Sequence, residues 1–224
     1  MTDASSGLLT AGTLDRFSSK TRDKLLQESL VLFNERGFGS VTTASIAEHA
    51  GVLEGSLWYH FRTKKDILTA HIDLLQQVFE GTNIDASSTD EETIIAGIFA
   101  SYDVIWDFRY ILRDDFGSVL DTDEPALQTT RLINSFLDDW TEGRIQHAQT
   151  HGLLKMGAAS MEDISEIILV IGRYWLDFSR KKYPETPNTQ LRFKGLQHIF
   201  TVLSPYLTPS AMGHITAALS ATRH

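Results

Sequence analysis

The residues with the clearest chemical character lie in the stretch EHAGVLEGSLWYHFRTKKDIL, residues 48–68. It combines two glycines, a Trp-Tyr-His run and two successive lysines, in a chain whose formal net charge is −9. Hydroxyl groups and aromatic ring edges can contact base edges, and ammonium groups can bind phosphate. The stretch therefore predicts contact with double-stranded DNA through the major groove.

Charge is distributed unevenly along the chain. Residues 1–65 hold eight Lys or Arg and seven Asp or Glu, a balance of +1. Residues 66–224 hold twelve and twenty-two, a balance of −10. This asymmetry indicates two parts with different partners, so the acidity of the whole chain does not argue against a nucleic-acid partner for the first part.

The composition of the chain argues against several other classes of protein. The chain has 224 residues, 42% of them apolar, and no cysteine, so neither a disulfide framework nor a thiolate metal site is expected. The start MTDASSGLLTAGTLDRF does not resemble a signal peptide, and no stretch approaches eighteen apolar residues. We expect a cytoplasmic protein with no cofactor and no membrane partner.

Two helices are predicted ahead of the Trp-Tyr-His run. TRDKLLQESLVLFNERGF has helical spacing of apolar residues, with Thr21 as a candidate N-cap and Gly37 as the terminating glycine. The next helix begins at Thr42 or Thr43, whose hydroxyl groups can accept from free backbone N–H groups, and stops at Gly51. A tight turn at this glycine predicts a helix-turn-helix.

The third helix follows that turn and has two different faces. At about 100° per residue, Leu57 and Phe61 share one face, and Gly55 and Tyr59 point away from it. A short helix with outward aromatic side chains needs a partner to cover them. Major-groove DNA is such a partner, and the glycine permits a close approach.

Residues 20–70 resemble the DNA-binding domain of the TetR family of bacterial transcriptional regulators. The resemblance is carried by LFNERGFGSVTTASIAEHAGV, then GSLWYHF, then KKDIL. It implies a homodimer that binds a palindromic operator, most simply as a repressor, with Thr43 and Lys64 at phosphates. The residues that it implies in DNA contact are Thr42, Thr43, Glu54, Gly55, Ser56, Trp58, Tyr59, His60 and Lys64.

Three positions depart from that family's usual pattern. Leu53 stands where a polar residue is usual, so the third helix is expected to lack its side-chain N-cap. Glu54 is acidic and could accept from cytosine N4 or complement the helix dipole. Ala44 offers no base contact where some members have arginine.

The rest of the chain predicts an all-α protein, because no alternating strand pattern competes with the helical spacing. The helices are expected at roughly 90–107, 109–120, 124–150, 161–183, 188–204 and 209–220. The predicted organisation is a disordered N-terminal arm over 1–19, a helix-turn-helix DNA-binding domain over 20–66, and a helical effector-binding and dimerisation domain over 67–224.

Two of these helices carry apolar seams at spacings of three and four. Their periodicity fits a core within one chain, whereas the TetR resemblance implies that these helices pair with their copies in a four-helix dimer interface. The predicted interface residues are Ile164, Ile168, Ile171, Trp175, Leu196, Ile199, Phe200 and Leu203.

An aromatic-rich stretch, YDVIWDFRYILRDDF at 102–116, precedes a long helix that carries further aromatics. Such a cluster can form a solid core or line a ligand cavity. DFRYILRDDF, YWLDFSR and GLQHIFTVLSPYLTP are similar to a TetR subgroup, which favours a cavity for a small apolar or acyl-chain effector. The predicted pocket residues are Phe99, Tyr102, Trp106, Tyr110, Arg113, Phe136, Trp140 and Trp175.

Two other classes of function compete with a DNA-binding regulator. His147 and His151 have metal-compatible i, i+4 spacing, but the glutamate of a zinc peptidase motif is absent and no third ligand is evident. Neighbouring aspartates such as Asp138 and Asp139 point to different helix faces and cannot form an acid/base pair. An enzyme is therefore not expected. The second alternative, based on Leu53 and Glu54, is a helical protein-interaction module without DNA binding.

Overall fold

The computed structural model describes residues 8–82, 89–113 and 124–221. Within these ranges the chain is helical, apart from turns, loops and one isolated antiparallel bridge between Leu154 and Leu207, which confirms the predicted all-α class. The α-helices are α1 (Ala11–Leu14), α2 (Thr21–Arg36), α3 (Thr43–His49), α4 (Glu54–His60), α5 (Lys64–Gly81), α6 (Glu91–Asp107), α7 (Arg109–Leu112), α8 (Glu124–Thr150), α9 (Ala158–Lys182), α10 (Asn188–Leu203) and α11 (Pro209–Ala221). A 3-10 turn at Ser204–Tyr206 follows α10.

The ends of α2 show where local sequence rules hold. Gly37 ends the helix as predicted, with φ +81, and its N–H donates to the carbonyl of Phe33 at 3.0 Å. A positive φ is a conformation that glycine adopts without a steric penalty. The predicted N-cap was wrong by one residue, because Lys20 has the extended backbone of the cap and Thr21 is already helical.

Packing divides the chain into two compact units. The first comprises Met1–Gly81 and Asp103–Thr122, and the second comprises Thr82–Tyr102 and Asp123–His224. The first unit extends beyond the predicted boundary after residue 66, because α5 buries Ile67, Leu75 and Phe79 completely. The division of DNA-binding and effector roles at that boundary stays a prediction. No helix within the described ranges is long and apolar enough to cross a bilayer.

The N-terminal arm was predicted to be disordered over 1–19, but residues 8–19 are structured. Here α1 forms, and Leu9 and Thr13 are buried. The backbone N–H of Thr10 donates to both carboxylate oxygens of Asp107, at 3.2 and 3.0 Å. This contact spans 97 positions in sequence, so the polar, small-residue composition of the segment gave no local sign of it. Residues 1–7 lie outside the described ranges.

The α6–α7 corner also differs from its prediction. The helix expected over 109–120 ends at Leu112, and Arg113 is already extended, with φ −78 and ψ 148. Residues 114–120 of that prediction lie outside the described ranges. The helices expected at 90–107, 124–150, 188–204 and 209–220 match α6, α8, α10 and α11 to within one residue at each end. The helix expected at 161–183 begins three residues earlier, at Ala158.

Candidate nucleic-acid interface

The turn between α3 and α4 sets the direction of α4 within the first unit. Gly51 has φ +64, and the N–H of Val52 donates to the carbonyl of Ala47 at 2.9 Å. A side chain at Gly51 would be strained by that φ. Beyond the turn, α4 buries Leu57 and Phe61 as the sequence predicts. The opposite face of α4 is therefore open to a partner.

That opposite face is aromatic and exposed. Tyr59 is 85% exposed and Trp58 is 44% exposed, while Gly55 lies on the same open surface. Ser56 and His60 are partly buried at the edges. Exposed rings are unfavourable on a helix without a partner, but they suit a surface that touches bases.

The N-terminus of α3 is built by a capping box. The Thr42 hydroxyl accepts from the N–H of Ser45 at 3.1 Å, and the Ser45 hydroxyl accepts from the N–H of Thr42 at 3.1 Å. The Thr43 hydroxyl donates to a Glu54 carboxylate oxygen at 3.0 Å. This bond joins the first residues of α3 and α4. It turns the Glu54 carboxylate toward α3, which the sequence did not predict.

Lys64, the first residue of α5, holds the loop that leads into α3. Its ammonium donates to the carbonyls of Phe38 and Val41, at 2.6 and 3.0 Å, and lies 4.4 Å from the Phe38 ring centroid. A cation at a helix N-terminus opposes the helix dipole, so these carbonyls supply the compensating partners. Burial lowers the pKa of Lys64 below its ordinary value. Two of the three ammonium donors of Lys64 are thereby used within the chain.

A second link between helices was missed at the sequence level. His49 Nδ1 at the end of α3 lies 2.7 Å from a carboxylate oxygen of Glu28 in α2. Glu28 is buried, whereas His49 remains open to solvent. The two residues are 21 positions apart and form no recognisable motif. The pair fixes α3 against α2, which steadies the helix that precedes the turn.

Three predicted pocket residues lie in the core of the first unit. The Tyr110 hydroxyl lies 2.8 Å from His71 Nδ1, and the Arg113 guanidinium donates to the Asn34 carbonyl at 2.8 Å. Trp106 packs under the guanidinium of Arg109, which is 5.1 Å from its ring centroid. Burial lowers the pKa of this arginine to about 9.

Asn34 of α2 binds the α6–α7 corner directly. Its amide donates to the carbonyl of Asp107 at 2.6 Å and accepts from the N–H of Tyr110 at 3.1 Å. These two backbone groups belong to the end of α6 and the start of α7, where helical partners are lacking. Trp106, Tyr110 and Arg113 therefore pack within the first unit.

The other five predicted pocket residues lie in the second unit and mostly pack in pairs. Their contacts are Phe99 with Phe200, at 5.3 Å between ring centroids; Phe136 with Trp140, at 5.9 Å; and Trp175, which donates from Nε1 to the Leu191 carbonyl at 2.9 Å. Tyr102 and Trp175 both press against the backbone at Gly195. An open cavity of about 290 Å³ between α8 and α9 is lined by other residues, Glu142, Gln146, Met161, Glu162 and Ser165.

The residues predicted at the dimer interface face the core of the second unit. Ile164, Ile168, Trp175, Leu196, Ile199, Phe200 and Leu203 are buried within a single chain, and Ile171 is half-buried. The same periodicity fits either packing, and here α9 and α10 bury their seams inside the chain. A different stripe of α9 stays exposed, formed by Ile167, Val170 and Tyr174.

The histidine pair remains a local feature of α8. The rings of His147 and His151 are 4.2 Å apart, and His151 Nδ1 lies 2.9 Å from the His147 carbonyl oxygen. Within the ranges that the structure describes, no three His, Cys, Asp or Glu side chains are grouped so that they could hold a metal ion.

Comparison with known proteins gives two family matches and several relatives. Residues 25–70 match the bacterial regulatory proteins of the tetR family, and residues 76–215 match the TetR bacterial transcriptional repressors. The repressor KstR2 of Mycolicibacterium smegmatis is 32% identical over 87 residues, which cover 38% of this chain and 42% of that protein. The regulator TtgR of Pseudomonas putida is 31% identical over 74 residues, which cover 33% of this chain and 35% of that protein. The chain thus spans less than half of the length of these curated relatives.

Solved structures extend the similarity over nearly the whole chain. A TetR-family transcriptional regulator from Marinobacter aquaeolei VT8 is 25% identical, with a TM-score of 0.72 over 92% of this chain and 100% of that chain. The ketosteroid transcriptional regulator KstR2 of Mycobacterium tuberculosis shares the fold, with a TM-score of 0.57 at 21% identity over 85% of this chain and 97% of that one. The match to the bacterial transcriptional repressors covers residues 76–215, which is more than half of this chain, so this chain belongs to the TetR family of bacterial transcriptional repressors.

Proposed function

We propose that this protein is a DNA-binding transcriptional repressor that reads a palindromic operator through α4. The observation that carries this proposal is the division of α4 into a buried face, with Leu57 and Phe61, and an open aromatic face, with Trp58 and Tyr59. Two copies of α4 on a dimer would enter successive major grooves, about 34 Å apart.

The direct test is selection of bound duplexes from a random DNA library, followed by gel shift against the selected sequence and against random DNA. A repressor of this kind should enrich an inverted repeat and bind it with an excess of roughly 10³-fold or more over random DNA at physiological salt. A protein-interaction module without DNA binding, the alternative that the sequence left open, would enrich nothing.

We expect Lys64→Ala to weaken operator and random DNA alike, because phosphate contacts carry no sequence information. The slope of log K against log salt should fall by about 0.9 for each phosphate that the ammonium no longer neutralises, one in each subunit. In the free protein, amide exchange over residues 38–45 should also accelerate, because the substitution removes the bonds to the Phe38 and Val41 carbonyls.

Lys65→Ala is the matched control for this change. It removes the same charge from the neighbouring exposed lysine, and it should leave exchange over residues 38–45 at the wild-type rate. Unchanged exchange and an unchanged salt slope in Lys64→Ala would contradict both roles given to this ammonium.

The dimer would form through the exposed stripe of α9 rather than through the buried seams. Val170 and Tyr174 are 65% and 61% exposed, and Ile167 stands one turn before Val170 on the same side of the helix. A stripe of large apolar side chains at spacings of three and four is typical of a helix that packs on another helix.

We expect Val170→Glu to convert a dimer into a folded monomer, because a charge in an apolar interface loses its hydration without gaining a partner. Sedimentation at micromolar concentration measures the change. Leu132→Glu is the control, since this leucine of α8 is 64% exposed and lies outside the stripe. By contrast, Trp175→Glu should unfold the second unit, because Trp175 is buried in its core. A wild-type monomer at that concentration would rule out the interface.

We also propose that the second unit responds to a small apolar effector, although three of the predicted pocket residues lie in the first unit. The aromatic side chains of the second unit support this proposal, among them the Phe99–Phe200 and Phe136–Trp140 pairs. An effector can weaken operator binding only if it binds the two states of the protein unequally. A series of saturated fatty acids and alcohols of increasing length should raise the melting temperature and lower operator affinity together. A series without effect on either would contradict this proposal.

A further inference from the structure

Leu53 is the most unusual residue of the helix-turn-helix. It is 83% exposed and stands at the N-cap of α4, with extended backbone at φ −70 and ψ 144. It makes no side-chain cap, although Ser, Thr, Asp or Asn at this position would satisfy a free N–H of the helix. The free protein therefore gives up a cap and exposes a branched apolar side chain at the same position.

Leu53 is one of few exposed large apolar side chains near α4. In the described part of the first unit, the exposed large hydrophobic side chains are Leu53, Trp58 and Tyr59, all on α4 or at its cap. The neighbouring Glu54 carboxylate accepts from the Thr43 hydroxyl at 3.0 Å, which holds it toward α3. The N-terminal end of α4 thus presents an isobutyl group next to a restrained carboxylate.

We propose that Leu53 reads the 5-methyl group of a thymine in each operator half-site. This inference rests on the proposed function, because it places α4 in the major groove. There, the N-terminal residues of a recognition helix contact base edges. The only apolar group that an unmodified base pair offers in that groove is the thymine methyl. Contact between the two removes both from water.

The proposal gives the departure at Leu53 a role in specificity. A polar residue here would cap the helix, whereas leucine selects among sequences. The gain is set by the methyl group, since burial of one such group is worth about fourfold in affinity. Two half-sites of a palindrome would together contribute about fifteenfold.

The experiment replaces each thymine of the selected operator, together with its symmetry mate, by deoxyuridine, which removes only the methyl group. Wild-type protein should lose about fourfold per half-site at one thymine. Leu53→Ala should bind the unsubstituted operator correspondingly more weakly and become indifferent to deoxyuridine at that thymine, while other positions keep their effect. This forms a double-mutant cycle between one side chain and one methyl group.

Two further variants separate reading from helix stability. Leu53→Met keeps an apolar side chain of similar reach, and it should retain sensitivity to the methyl group. Leu53→Ser supplies an N-cap, so it should match or exceed the wild-type melting temperature while losing that sensitivity. Leu53→Ala should melt with the wild type, because the side chain is exposed.

The outcomes are distinguishable. If the wild type tolerates deoxyuridine at every thymine, or if Leu53→Ala remains as sensitive as the wild type at each one, Leu53 does not read a methyl group although the protein binds DNA. If the selection enriches no duplex, the proposed function fails, and this inference fails with it. A protein that uses Leu53 to bind another protein, and does not bind DNA, would give the same result, a selection without an enriched duplex.

Discussion

Tyr59→Ala should cost operator binding about 1–3 kcal/mol per half-site, while binding to random DNA changes little. The physical reason is the position of the ring. Tyr59 is 85% exposed on the face of α4 opposite the buried Leu57 and Phe61, and its own ring contact in the chain is with His60, at 5.1 Å between centroids. The ring therefore points away from the protein core, and in the proposed complex it would cover a base edge.

Titrations on both DNAs at several salt concentrations measure this effect. The substitution is neutral, so the slope of log K against log salt should stay at the wild-type value. Tyr59→Phe serves as the matched control, because it keeps the ring and removes only the hydroxyl group. An equal loss on operator and random DNA would show that α4 does not read the operator through this face.

The free energy of unfolding of the first unit should fall by about 2 kcal/mol between pH 7 and pH 5, because of His71. This side chain is fully buried, and its desolvation lowers its pKa from 6.5 to about 4, against a smaller opposing contribution from its bond to the Leu26 carbonyl. The neutral ring suits its site, since Nδ1 lies 2.8 Å from the Tyr110 hydroxyl and Nε2 lies 2.9 Å from the Leu26 carbonyl oxygen.

The direction follows from proton binding. The folded pKa is below the unfolded one, so at pH 5 the unfolded chain holds a proton on His71 that the folded chain does not. The stabilisation is complete above pH 6.5 and is lost as the pH falls toward 4, by about 3 kcal/mol in total.

Urea denaturation at pH 7 and pH 5, followed by tryptophan fluorescence, measures the difference. His71→Gln should flatten the pH dependence, because an amide keeps a donor and an acceptor but does not titrate in this range. Burial also lowers the pKa of His198, so this histidine titrates in the same direction as His71, but in the second unit. His198→Gln is therefore the control variant for an effect that comes from the first unit. Equal pH dependence in wild type and His71→Gln would contradict the role of His71.

The amino-acid sequence determined the features that depend on neighbours within a few positions. Gly37 and Gly51 end α2 and α3, Thr42 caps α3, and the spacing of Leu57 and Phe61 gives α4 its buried face. Glycine conformation, capping and helical periodicity are local, so the residues themselves specify them. The resemblance to the TetR family rests on the same local pattern, and the family match agrees with it.

Only the tertiary structure decided the contacts between residues that are far apart in sequence. Lys64 holds the carbonyls of Phe38 and Val41, and Asn34 binds the α6–α7 corner 73 positions away. No period or motif relates such pairs, because the packing of whole helices brings them together. The predicted effector set divided between the two units for that reason.

The apolar seams of α9 and α10 show the same difference between what local spacing specifies and what tertiary packing decides. Spacing of three and four identifies an apolar face of a helix but not the surface that covers it. Burial assigned Ile164 and Phe200 to the core of one chain and left Val170 and Tyr174 exposed. The sequence by itself located most of the long helices to within a few residues and identified the residues of α4 that face inward. The tertiary structure decided which apolar faces are buried within this chain and which stay exposed, because a helix face is defined locally and the surface that covers it depends on the whole fold.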